Sequence, residues 1–283
     1  MALTDTQNLM TPGIVGKLSL RTKGLAARPN NIVILVQGSN LTGQSIFDFS
    51  FEGGERYSVM DEIVGMGLGA VTFSLRGYGQ SELPGDPFEV TTETAMEDLE
   101  AVFDWAAAQG YAKPHLFAFS WGGRIAGRWA ESNAARIDKL ILYDPARGGG
   151  GLVLPPPTEP WFINTPEFYL QKFEPEFTAL DLRAALSAHV LEYDARSPNG
   201  IRLENANPVT AVRPEAITNP TLMVYGSEAA KANYMVGGME RGTFFERLAT
   251  DDKAFVIVPG AGDFAHFQEG RFRLYKAIAD FLR

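Results

Sequence analysis

Six short runs dominated by apolar side chains set the tightest limit on what this chain can fold into: 31–36 (NIVILV), 70–75 (AVTFSL), 115–119 (HLFAF), 138–142 (DKLIL), 221–225 (TLMVY) and 254–258 (AFVIV). Each has the length of a strand and the composition of one covered on both faces. Helical patterns fall between several of them, and strand, loop and helix units repeated in this order predict a mostly parallel central sheet with helices on both faces. In such a sheet, ligands bind in the loops at the carboxyl ends of the strands, which directs attention to the residues just after each run.

The helical segments have legible boundaries. Ser58 precedes Val59, Ile63 and Met66, a short helix with a serine cap and one apolar face. Thr94 and Glu97 have capping-box spacing, and Met96, Leu99, Phe103 and Ala106 continue a helix that Gly110 ends. Leu274, Ile278, Phe281 and Leu282 mark a last amphipathic helix. Near the amino end, 17–22 (KLSLRT) alternates and predicts a half-buried edge strand. Between 147 and 214 the composition changes: four consecutive glycines, three consecutive prolines, then Trp161, Phe162, Phe168, Tyr169, Phe173 and Phe177. This interrupts the alternation, so 1–146 and 215–283 are expected to form one core and 147–214 an inserted cap.

One of the strand-to-helix passages carries chemistry. After 115–119 only Ser120, Trp121, Gly122 and Gly123 remain to reverse the chain before the helical pattern that begins at Arg124. A serine there sits on a sharp turn with its hydroxyl pushed out above the sheet, and small residues must flank it because backbone and helix pass close by. Ala118-Phe119-Ser120-Trp121-Gly122 fits that demand as A-x-S-x-G. The competing explanation is a serine that merely caps a helix.

Composition removes several alternatives. A net charge of −9 with no basic cluster argues against a nucleic-acid partner. The absence of cysteine excludes disulfides, thiolate catalysis and cysteine zinc sites. Histidines never approach one another at metal-ligand spacing, and the glycine run 148–151 leads to prolines rather than to a phosphate loop, so neither a metal nor another cofactor is expected. No leader-like segment opens the sequence and no apolar run approaches a bilayer span, from which a cytoplasmic protein without a membrane partner is expected. Oligomeric state is not legible.

The combination resembles the α/β-hydrolase fold superfamily, in its serine hydrolase branch, from about residue 31 to the last. The resemblance rests on the strand before Gln37-Gly38, the loop Arg76-Gly77-Tyr78-Gly79-Gln80-Ser81, the elbow Phe119-Ser120-Trp121-Gly122-Gly123, and a late strand leading through Pro259-Gly260-Ala261-Gly262 toward a histidine. It implies a cofactor-free acyl transfer on Ser120, with backbone N–H groups of Ser39 and Trp121 facing the oxyanion. Gln37 stands where a histidine is more usual. A serine rather than an aspartate at 120 argues against dehalogenase and epoxide hydrolase chemistry.

A serine needs a base, and the base needs an orienting acid. Of three histidines, His115 begins the strand that ends at Ser120, so it lies at the far end of the sheet and is expected on the surface. His189 falls in the cap. His266 follows the last strand and is the expected base, although the family's histidine usually stands at the place held here by Asp263. For the acid, the usual position after 221–225 holds Ala229 with Glu228 beside it. Asp144, after 138–142, matches an alternative family position, so Asp144 ranks first and Glu228 second. The expected activity is hydrolysis of an ester, lactone, thioester or amide of a small substrate, apolar or aromatic to suit the cap. Retro-Claisen cleavage of a carbon–carbon bond and a non-hydrolytic binding role on the same fold are the alternatives.

Overall fold

The computed structural model describes residues 5–14, 16–51, 57–152, 155–207, 209–229, 235–236 and 238–283. The chain begins with β1 (Gln7–Pro12) and β2 (Lys17–Lys23), continues through β3 (Ile32–Val36), α1 (Gly43–Phe47), α2 (Val59–Gly65), β4 (Gly69–Phe73), α3 (Thr92–Ala108) and β5 (His115–Phe119), and passes by α4 (Trp121–Asn133) to β6 (Leu140–Tyr143). After β7 (Gly151–Leu152) come β8 (Trp161–Ile163), α5 (Pro166–Lys172), α6 (Leu180–Tyr193), β9 (Arg196–Pro198) and α7 (Gly200–Asn205). The sheet resumes with β10 (Thr221–Gly226), followed by β11 (Met235–Val236), α8 (Arg241–Glu246), β12 (Lys253–Val258) and α9 (Arg271–Leu282).

Eight strands form one sheet in the order β1-β2-β4-β3-β5-β6-β10-β12. From β4 to β12 every pairing is parallel. All six expected strands are present and occupy that parallel part. The apolar runs are buried because two separate clusters cover the sheet: Val36, Ala118 and Leu142 contribute to one, Leu35, Phe119 and Tyr143 to the other. Successive residues on a strand alternate between faces, so unbroken apolar sequence serves both clusters at once.

Three local expectations are corrected. The segment 17–22 is not the edge of the sheet: β1 lies outside β2, and β2 pairs antiparallel with β4. The cap of α3 is Thr91 rather than Thr94: the Thr94 hydroxyl accepts the Thr91 N–H at 3.0 Å while Thr91 accepts from Thr94, a reciprocal pair one turn earlier than expected. His115 does start β5, but it is buried, 3.3 Å from Asp138, and burial holds its imidazole below its usual range. The serine cap of α2 is as expected, with Ser58 accepting the Asp61 N–H at 3.1 Å.

Segment 147–214 contributes no strand to the eight-stranded sheet among the described residues. Its contacts with the rest of the chain are polar as well as apolar. The Tyr169 hydroxyl donates to the Asn40 carbonyl at 2.5 Å, and Asp194 accepts from the Thr42 N–H at 2.7 Å and the Ser45 hydroxyl at 2.9 Å. No helix of the described residues is long and apolar enough to cross a membrane.

Candidate active site

Ser120 lies between β5 and α4 with φ 53° and ψ −118°. A side chain in this region is strained at a cost of about 1–3 kcal/mol, and the surrounding structure must enforce it. Three backbone hydrogen bonds do so. The Ser120 N–H donates to the Tyr143 carbonyl at 3.1 Å, and its own carbonyl accepts from Gly123 at 2.9 Å and from Ala146 at 2.8 Å. Its hydroxyl makes no capping bond to α4, which sets aside the helix-cap explanation. Phe119 and Trp121 on either side are buried, whereas Ser120 is partly exposed.

The small residues around Ser120 are required by close approach. A Cβ on Gly38 would come 3.1 Å from the Ser120 Cβ, so the loop after β3 lies directly against the serine. A Cβ on Gly122 would come 2.5 Å from the Gln37 carbonyl oxygen, which lets α4 start against that same loop. Gly38, next to Ser39 in sequence, and Trp121 therefore adjoin Ser120. The N–H of Trp121, in the first turn of α4, has no intrahelical partner.

Asp144 follows β6 with φ 40°, and its N–H donates to the Val224 carbonyl at 2.8 Å. Its carboxyl lies beside that of Asp263, on the turn after β12, near enough for each to shift the other's proton affinity. Burial raises both, and for Asp263 the nearness of Asp144 adds to it, pushing that carboxyl up to about 9 against the opposing pull of Lys172 and Arg241. Arg241 lies 3.5 Å from Asp144. Two adjacent buried carboxyls cannot both ionise readily, so the pair holds one proton at neutral pH. The Asp263 backbone is fixed from the far segment: Glu174 accepts the N–H of Asp263 at 2.9 Å and of Phe264 at 3.2 Å, and the Gln268 amide at 2.8 Å. Lys172 stands over the Phe168 and Phe264 rings at 5.7 Å, and burial lowers its ammonium to about 8.

His266 goes elsewhere. It sits in the short turn 265–267 with Nδ1 3.0 Å from the Tyr143 hydroxyl, and its ring lies 4.0 Å from that of Phe267 and 5.9 Å from that of Phe119. Its Nε2 has no hydrogen-bond partner. The expected contacts of His266 with Ser120, Asp144 and Glu228 are therefore not formed, because the turn after Asp263 carries the imidazole into the apolar cluster on the Tyr143 side of the sheet. Burial there drops it to about 3, so the ring is neutral. Glu228 accepts from the Ser227 hydroxyl at 3.3 Å, and its N–H donates to the Ala261 carbonyl at 2.9 Å. His189 packs between Phe49 and Tyr193.

The structure thus brings Ser120, Asp144 and Asp263 to one end of the sheet, where sequence reasoning expects Ser120, Asp144 and His266. Asp263 occupies the sequence position at which the family's histidine is expected, and that is the available signal. Glu174 and Lys172 give none, since they lie about ninety residues away in sequence. Among the cap aromatics, Tyr169 and Phe173 are fully buried, stacked on one another with Phe173 packed on Phe264 and Phe267, so these two are core, while Trp161, Phe162, Phe168 and Phe177 are half-buried.

A parallel sheet with a strained serine at the end of its central strand, facing a loop from the neighbouring strand, defines an α/β hydrolase. The family model for the alpha/beta hydrolase fold matches residues 60–257, and the chain belongs to that family. It is 33% identical over 91 residues to N-formylmaleamate deformylase of Pseudomonas putida, 32% of each chain. It is 25% identical over 191 residues to 2-hydroxy-6-oxononadienedioate/2-hydroxy-6-oxononatrienedioate hydrolase 1 of Dechloromonas aromatica, 60% of this chain and 63% of that one. These matches span less than two thirds of either relative. A thermophilic esterase from Thermogutta terrifontis superposes with a TM-score of 0.69 at 18% identity over 98% of both chains, a likeness of fold.

Proposed function

We propose that this chain is a cofactor-free serine hydrolase that cleaves an ester, lactone, thioester or amide bond of a small molecule through an acyl-enzyme on Ser120. The observation that carries the proposal is the Ser120 backbone at φ 53°, held by neighbours on two strands while its hydroxyl caps nothing. Strain retained at one polar, partly exposed residue is what a positioned nucleophile requires. The backbone N–H groups of Ser39 and Trp121 supply the oxyanion donors, each worth about 3–4 kcal/mol where such donors have been removed. Asp144 serves as the acid of the site ahead of Glu228, whose side chain meets Ser227. His266 is left out as base, since its ring nitrogens face Tyr143 and the apolar interior.

Segment 147–214 acts as the cap over this site. Because Tyr169 and Phe173 are taken up in the core, the bond class is proposed more narrowly than the substrate's bulk. A cysteine-free chain suits a reducing, cytoplasmic setting. The test is covalent labelling with a fluorophosphonate: wild type is labelled and Ser120→Ala is not, whereas a folded wild-type protein that takes no label overturns the proposal. The relative named for an oxononadienedioate hydrolase favours one second reading, carbon–carbon bond cleavage by the same serine. Product analysis with a 1,3-diketone beside a p-nitrophenyl ester separates the two.

A further inference from the structure

We infer that the substrate of this hydrolase carries a carboxylate and that Arg202 holds it. This rests on the assignment of Ser120 as nucleophile and narrows the substrate class of that same site. Arg202 lies in α7 and crosses from the cap to the loop after β3, where its guanidinium donates to the side-chain oxygen of Asn40 at 3.0 Å and to that of Asn199 at 3.1 Å. Asn40 stands two residues beyond Gly38, the residue that lies against Ser120. It is buried and fixed on both sides, its amide donating to Asn164 at 3.1 Å and its carbonyl accepting the Tyr169 hydroxyl at 2.5 Å. The guanidinium is therefore held in one place on the loop that faces the serine.

What this guanidinium lacks is an anion. A guanidinium has five N–H donors, and both acceptors that Arg202 meets are neutral amide oxygens. It makes no ion pair with a carboxylate among the described residues, in a chain whose net charge is −9. Lys172 of α5 is a second cation without an ion pair among those residues, and a run of rings joins the two. Arg202 lies 3.7 Å over the Phe162 ring, Phe162 meets Phe168 edge-on at 5.0 Å, and Lys172 stands 5.7 Å from the rings of both Phe168 and Phe264. Phe264 lies 5.4 Å from Phe119, the neighbour of Ser120. Phe162 and Phe168 are half-buried, as are Arg202 and Lys172 themselves, so this run combines apolar rings with positive charge that the described residues leave unbalanced. A charge drawn partly out of water is costly without a partner of opposite sign. A carboxylate supplies one, and its two oxygens match the planar fork of a guanidinium with paired hydrogen bonds that an ammonium does not offer. From Gly38 to Asn40 the backbone spans at most about 7 Å, so the acid at Arg202 and the acyl carbon at Ser120 belong to one small molecule, with a short apolar stretch between them.

The experiment compares kcat/KM for the mono-4-nitrophenyl esters of adipic and suberic acid with that for the same esters methylated at the free acid, in the wild type and in Arg202→Gln, Arg202→Lys and Lys172→Met. Folding is checked by circular dichroism and the serine by fluorophosphonate labelling. A charge-assisted hydrogen bond shielded from water changes affinity by about tenfold or more, so the wild type should favour at least one acid over its methyl ester by that factor, chiefly through KM. Arg202→Gln keeps an N–H for Asn40 without the charge, and its ratio of acid to methyl ester should fall toward one. Arg202→Lys retains the charge but not the fork and should keep part of the preference, and Lys172→Met should lower it by less than Arg202→Gln does. Monomethyl adipate or monomethyl suberate should raise the melting temperature of Ser120→Ala, and the dimethyl esters should not. A wild type that is labelled yet favours neither acid, or a folded Arg202→Gln that keeps the full preference, overturns the inference while leaving Ser120 as nucleophile. A folded wild type that takes no label removes the proposed function, and this inference with it.

Discussion

Among single residues, Ser120 and His266 have opposite characters. Ser120 keeps a backbone geometry that glycine tolerates far better. Ser120→Gly is expected to abolish labelling while raising stability by about 1 kcal/mol, or roughly 2–4 °C in a domain of this size. A calorimetric scan that shows a lower melting temperature would remove the argument that the strain is kept for function. His266 is a core residue with a structural role. Its imidazole has a folded-state pKa of about 3, below the unfolded 6.5, so the folded state binds its proton less readily. The stability it contributes is complete above pH 6.5 and falls by about 1.4 kcal/mol per unit as pH drops from there toward 3. Urea melts at pH 7 and 5 should show this slope in the wild type and a flatter one in His266→Gln.

Among the elements, the turn carrying Asp263 owes its path to Glu174, which sits just past α5 at φ 53° and holds two backbone N–H groups and one side-chain amide of the turn. Hydrogen bonds to a carboxylate are each worth about 1.5–3 kcal/mol when the acceptor is well shielded, and less here because Glu174 is partly exposed. Glu174→Ala should cost on the order of 2 kcal/mol and slow labelling at Ser120. Glu174→Gln, which keeps an acceptor, should recover part of both, as measured by chemical denaturation and labelling rate. The start of α4 is constrained in a different way. Gly122→Ala drives a methyl into the carbonyls of Val36 and Gln37, which are backbone and cannot rotate aside, so β3 and α4 must separate. Overpacking of this kind costs about 1–3 kcal/mol, and this site belongs at the upper end.

For the molecule as a whole, the joint between segment 147–214 and the sheet depends on Asp194, whose carboxyl group accepts from the Thr42 N–H and the Ser45 hydroxyl from the end of α6. Burial raises this carboxyl from 3.8 to about 7, so the folded state holds its proton more tightly than the unfolded chain does. The stability it contributes is complete below about pH 4 and falls by about 1.4 kcal/mol per unit as pH rises toward 7. The difference in unfolding free energy between wild type and Asp194→Asn should therefore change between pH 5 and pH 8. A constant difference would show that the carboxyl stays ionised throughout.

Short-range patterns were enough to specify the six parallel strands, the serine elbow and the place of Asp144: strand length, apolar content on both faces, and the absence of bulk around a turn are all local properties. They do not reveal β1, whose QNLMTP carries no strong alternation, and so make β2 look like an edge. Which side chain beyond β12 joins Asp144 is a tertiary matter. Asp263 and His266 are three residues apart, and nothing local distinguishes their directions. The choice is made by Glu174 from another segment and by the Tyr143 hydroxyl, which give one residue a carboxyl partner and the other a place in the core. Burial then sets the proton affinity of each group, and burial is a property of the assembled fold.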